Sequence, residues 1–146
     1  MKLLSNQLVF DEVERIIATG SSVTLKVKGG SMRPYLRNEK DVVVISPFQP
    51  EELMPGVIVL FRYRDKHLLH RIIRIDNDEL LIQGDGNFKA CERVLKADVI
   101  GMVRSIIRPD GKPLSTHHCA SRMYWTCWRV LRPLRRYLLK VYDLFS

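Results

Sequence analysis

Acidic residues are almost missing from the end of the chain. Residues 116–146 contain one Asp or Glu against six Lys or Arg, whereas residues 1–115 contain 15 against 18. Most of the formal charge of +8 therefore sits in the tail. A basic end on a nearly balanced body suggests an anionic partner for that end alone, either a membrane surface or nucleic acid. Cysteine is scarce as well. Cys91, Cys119 and Cys127 cannot all pair internally, and none stands in a Cys-x-x-Cys spacing. That pattern argues against a disulfide framework or a zinc site and favours a reducing compartment. His117 and His118 lack companion ligands at a convincing spacing, so no metal is expected, and no other cofactor.

Long apolar runs are missing too. No stretch is apolar for the roughly 20 residues of a spanning helix. The first residues, Met1 to Glu12, are broken by polar and acidic side chains before a run of signal-peptide length develops. There are no internal repeats. What remains, 46% hydrophobic and 27% charged residues in 146 positions, is the balance of one folded domain with a terminal appendage.

The spacing of Leu8, Val13, Ile16 and Ile17 predicts a helix over 5–19 that stops at Gly20. From Ser22 the pattern changes to alternation, with Val23, Leu25 and Val27 apolar, which predicts a half-buried strand. Further strand-like runs are Val42 to Ile45, Val57 to Tyr63, Leu68 to Ile75, Glu79 to Gln83 and Val99 to Ile107. The expected fold class is mainly β, organised as an N-terminal helix (1–20), a β-domain (21–108), a linker (109–122) and a basic amphipathic tail helix (123–146). In the tail Trp128, Leu131, Leu134, Leu138, Val141 and Phe145 recur at spacings of three or four, and Pro133 predicts either a kink or two short helices.

Three places carry residues capable of chemistry. Ser31 follows Gly29-Gly30, a setting that can present a hydroxyl and aim backbone N–H groups at an oxyanion, although such a turn is most often only a turn. His70 lies in the apolar stretch Leu69-His70-Arg71-Ile72-Ile73, where a neutral imidazole can accept a proton; its plain alternative is a structural histidine. On a straight strand His67 faces the opposite side. Asp85, between Gly84 and Gly86, can fix the tautomer of a base or simply hold its loop.

Taken in order, Gly30-Ser31-Met32-Arg33-Pro34, Leu69-His70-Arg71-Ile72-Ile73, Gly84-Asp85-Gly86-Asn87 and Asp98-Val99-Ile100-Gly101 resemble the boxes of the S24/S26 serine peptidases, over roughly residues 22–107. That superfamily includes type I signal peptidases and self-cleaving repressors. The resemblance implies a signal-peptidase-like β-fold, with Ser31 as nucleophile and His70 as general base where many members carry lysine. It implies an acidic third member, for which Asp85 is the choice and Glu92 the reserve, because the family's second acidic place falls near Cys91; a dyad is the alternative. Lys40-Asp41 and Gly56-Val57 stand where the family has structural Gly-Asp boxes. The membrane anchor of signal peptidases has no counterpart in the sequence.

The expected function is a serine endopeptidase that cleaves leader or signal-like segments, with a peptide or precursor protein as partner. The alternative is a catalytically silent module of the same fold that binds a peptide or partner protein. The tail, residues 123–146, is expected to meet an anionic membrane surface through its Arg and Lys, with Trp125, Trp128, Tyr137 and Phe145 in the interfacial layer. The expected location is cytoplasmic, peripheral on the inner face of the membrane. Nucleic acid is not the expected partner, since only about 20 residues precede the β-region, too few for a helix-turn-helix domain.

Overall fold

The computed structural model describes residues 6–87, 91–111, 113–115 and 119–145. A helix, α1 (Asn6–Ala18), leads into a sheet of eight antiparallel strands: β1 (Val23–Lys26), β2 (Val42–Ser46), β3 (Ile58–Tyr63), β4 (Lys66–Asp76), β5 (Glu79–Gln83), β6 (Glu92–Leu95), β7 (Val99–Ile107) and β8 (Pro113–Ser115). Two further helices, α2 (Cys119–Val130) and α3 (Arg135–Phe145), close the chain. The fold class is mainly β, as the alternation predicts.

The strand order is β1-β2-β7-β3-β4-β5-β6, with β8 on β7. The nine residues of β7 organise the sheet. One edge pairs with β2, while the other takes β3 at its start (Val99 to Met102) and β8 at its end (Ser105 to Ile107). Register shifts at Val44/Ile45, Leu60/Phe61 and Ile72/Arg74 add local twist and coil the sheet.

Successive strand residues face opposite sides, and β3 is apolar from Ile58 to Phe61 because both sides are buried there. Ile58 and Leu60 join a cluster with Val43, Ile45, Val103, Ile106 and, from α1, Val13 and Ile17. Val59 and Phe61 join a second cluster with Ile72, Leu80, Ile82, Val94 and Met102. Helix α1 stops where Gly20 adopts φ 93°, its N–H donating to the Ile17 carbonyl at 2.9 Å.

Two boundaries differ from expectation, and of the two alternatives for the tail one is present. The linker drawn at 109–122 contains β8 and the first residues of α2, which begins at Cys119 and not near 123. The tail is two helices, broken by a 3-10 turn at Arg132–Leu134, as an interior proline that lacks an N–H and crowds the preceding turn requires. Strand β6 is additional; its four residues, two of them charged, are too few for a recognisable pattern.

Candidate active site

The turn after β1 is built to hold Ser31 between fixed points. Gly29 takes φ 81°, a conformation costly for most side chains. The Gly30 carbonyl accepts from the Arg33 N–H at 3.1 Å and from Arg33 Nη1 at 3.0 Å. Met32, Tyr35 and Leu36 are buried in the α1-side cluster and anchor the turn from below, leaving Ser31 half-buried. Ser31 lines a largely apolar cleft of about 440 Å³ together with Leu25, Val27, Ile45, Leu60 and Leu69.

A second turn, Gly84 to Asn87, abuts the first along its main chain. The Gly86 N–H donates to the Ser31 carbonyl at 2.7 Å. A Cβ on Gly84 would lie 2.3 Å from that same carbonyl oxygen and 3.1 Å from His70 Cδ2, and one on Gly86 would lie 2.4 Å from the Gly30 carbonyl oxygen. Only glycine allows these approaches. Gly84 is thus the point at which the Ser31 backbone and the His70 ring meet.

His70, on β4 opposite Val59 of β3, is buried with its ring tilted against Phe61. Its Nδ1–H donates to Glu92 Oε1 at 2.6 Å, the carboxylate selecting the tautomer. Glu92 is itself buried, one position from exposed Arg93 and in phase with buried Val94. The other ring nitrogen, Nε2, is buried and has no hydrogen-bond partner among the described residues. A buried polar atom without a partner costs stability, and such atoms are concentrated where function needs them. His67 faces the other way, as expected, stacking on Phe10 at 4.6 Å with Nε2 2.9 Å from Glu14 Oε1.

Asp85 does not stand beside His70, and the sequence-based choice of third member is corrected in this respect. Its carboxylate is engaged by Arg71, with Nε to Oδ1 at 2.9 Å and Nη2 to Oδ2 at 2.8 Å. Arg71 follows His70 in β4 and therefore points to the opposite face, taking Asp85 with it. The residue that meets His70 is Glu92, the reserve.

Around Asp85 every group is tied down. Arg71 Nη1 donates to the Gly56 carbonyl at 2.9 Å, and its guanidinium lies over the rings of Tyr35 and Tyr124. Burial by itself opposes the charge on Arg71, but Asp85's charge and hydrogen bonds outweigh it and hold the group above its ordinary range. The Tyr124 hydroxyl donates to Asp85 Oδ2 at 3.1 Å; burial first, and the neighbouring carboxylate second, push its pKa well up, so it remains a donor. Trp128 Nε1 donates to the Asp85 carbonyl at 3.0 Å.

These last two residues come from α2, and they went unread in the sequence as parts of the site. Trp128 in particular is buried, not interfacial. Helix α3 adds Arg135, buried with Nη1 donating to Gln83 Oε1 at 3.1 Å, and Asp143, paired with Arg33 at 3.1 Å just after Ser31. The only advance signal was aromatic and basic residues interleaved in the tail, which fits packing and membrane contact equally well.

Asp41 of the Lys40-Asp41 box is fully buried, accepting from the Arg37 N–H at 2.7 Å and from Arg108 Nη1 at 2.6 Å, which gives it a structural place. Among the described residues no group of three His, Cys, Asp or Glu is placed to hold a metal ion. His117 and His118 lie outside the described residues.

Chemically, the arrangement offers a hydroxyl on a glycine-bordered turn, a buried imidazole held through Nδ1 with Nε2 open, and a buried carboxylate behind it. No protein-family model matches the chain, and no curated protein matches it in sequence.

Proposed function

We propose that the protein is a serine endopeptidase of signal-peptidase-like fold, acting on leader or signal-like peptide segments. The observation that carries this reading is the polarity of His70: Nδ1 bound to buried Glu92, Nε2 buried and unpartnered among the described residues, and the ring against Gly84, which also touches the Ser31 backbone. A histidine kept only for packing has no need of a buried carboxylate on one nitrogen and nothing on the other.

In the proposed reaction Ser31 Oγ attacks a peptide carbonyl carbon while His70 Nε2 takes the hydroxyl proton. Glu92 keeps the imidazole in the accepting tautomer and stabilises the imidazolium. Backbone N–H groups of the Ser31 turn are the candidate donors to the oxyanion. Collapse breaks the C–N bond, His70 returns its proton to the leaving amine, and an acyl-serine remains. Water then attacks the ester with His70 as base, releasing the acid and restoring Ser31. The apolar cleft beside Ser31 suits uncharged side chains on the acyl side of the cut.

One observation favours the second reading, a peptide-binding module without turnover: Ser31 and His70 Nε2 are not hydrogen-bonded to each other. Catalytic hydrogen bonds are often long before substrate arrives and tighten in the complex, so the first reading is retained. The proposed setting is cytoplasmic, at the inner face of the membrane. Among the described residues no helix is long and apolar enough to cross one.

The test is incubation with a diverse peptide mixture, with and without anionic vesicles, read by mass spectrometry beside Ser31→Ala and His70→Ala proteins of verified fold. Cleavage by the parent and by neither variant is the expected result. Retained binding without cleavage in any of the three would establish the module instead.

A further inference from the structure

Helix α3 is inside out for a surface helix of a globular body. Its polar residues Arg135 and Asp143 face the β-domain, the first buried against Gln83 and the second paired with Arg33, with buried Leu139 between them. Apart from Leu139, its large apolar residues face away, in line with Leu134 of the preceding turn. Leu134, Leu138, Val141 and Phe145 recur at helical spacing, with Tyr137 and Leu144 beside them, and all six are exposed, Leu144 at 80% and Phe145 at 87%. At 100° per residue this stripe occupies one side of the helix, the body contact another, and exposed Arg136 and Lys140 fill the sector between them.

Contiguous apolar surface of this kind on a folded protein marks an interaction site. Charge decides what fits it. The flank of the stripe is basic, and the one acidic residue of residues 116–146, Asp143, is already held by Arg33. A second copy docked face to face would cover the stripe but bring no free acidic side chain of its own tail to Arg136 and Lys140. Nucleic acid would satisfy the cations but leave the apolar stripe in water. A bilayer with anionic headgroups meets both demands at once.

We propose that α3 is a peripheral docking surface for an anionic lipid bilayer, its apolar stripe entering the acyl boundary while Arg136 and Lys140 meet headgroup phosphates. The surface is narrower than the whole tail and excludes Trp128, which belongs to the interior. The Arg33–Asp143 ion pair ties the docked helix to the turn that carries Ser31, so a substrate would be met at the membrane surface. The docking itself does not depend on the peptidase reading, because its test involves no cleavage.

The full chain is floated with vesicles of phosphatidylcholine plus phosphatidylglycerol and, separately, of phosphatidylcholine alone. Binding to the first, at least tenfold weaker to the second and weakened by salt, is expected. Val141→Glu with Leu144→Glu, both at exposed positions, should abolish flotation at unchanged thermal midpoint. Arg136→Gln with Lys140→Gln, which removes two charges, should weaken it on the order of thirtyfold. Failure of the parent to float overturns the proposal, as does flotation indifferent to both pairs of substitutions. Concentration-dependent dimers abolished by the glutamates, without vesicle binding, would reassign the face to a second copy and overturn it likewise.

Discussion

His70 and Arg71 are neighbours on one strand, each buried and each facing a buried carboxylate, yet the two pairs differ in how completely they are satisfied. Arg71 uses all three of its nitrogens, on Asp85 and on the Gly56 carbonyl, and Asp85 takes a further bond from Tyr124. His70 uses Nδ1 on Glu92 and leaves Nε2 open. A saturated pair in a protein interior is a strut, because nothing on it is left to react. A pair with one basic atom unspent is suited to chemistry. On the proposed reading, the comparison gives the His70–Glu92 pair to reaction and the Arg71–Asp85 pair to support.

The strongest challenge to that division lies in Ser31→Ala and His70→Ala. Each should lower peptide cleavage about 10⁴-fold or more, as measured by mass spectrometry; calorimetry should show an unchanged thermal midpoint for Ser31→Ala and a lower one for His70→Ala, which strands the buried Glu92 carboxylate. Next, Glu92→Gln should lower turnover on the order of 10³- to 10⁴-fold, since an amide can hold the wrong tautomer of His70. An active Glu92→Gln enzyme would reduce the machinery to Ser31 and His70. Asp85→Ala should do the opposite, costing about 3–5 kcal/mol in denaturant unfolding by stranding the Arg71 charge. If instead it left stability intact and removed activity, the two pairs would have to exchange roles. The smallest effect belongs to Tyr124→Phe, which deletes one hydrogen bond to a charged acceptor and should cost about 1.5–3 kcal/mol with turnover near the parent's.

Much of this was legible from residue order, for reasons that particular elements show. Strands β5 and β7 begin and end where alternation and flanking Asp, Asn and Pro place them, because both lie in a sheet whose faces select apolar side chains at period two. The positions of Ser31 and His70 could be marked, since glycines border one and an apolar stretch surrounds the other. The choice between Asp85 and Glu92 could not. It depends on which face of β4 each carboxylate meets, a matter of pairing between β5 and β6 that four short residues do not announce. The inward face of the tail was not legible for a similar reason. Its hydrophobic period is real, but a period does not say which side of a helix is turned inward, and in α3 Arg135 goes in while Phe145 stays out.

The two glycines at 84 and 86 carry a consequence for mutational tolerance. Because the spacing between the turns is set by main-chain atoms in contact, 2.3 and 2.4 Å from where a Cβ would stand, no rearrangement of nearby side chains can accommodate a larger residue. Gly29 differs: its φ is 81° but nothing lies within 4 Å, so Asn, which enters that conformation readily, has room. A saturation library selected for folding alone should therefore show a blank column at 84 and 86 and a permissive one at 29. The architecture of the site would then be readable from survival counts before any substrate is known.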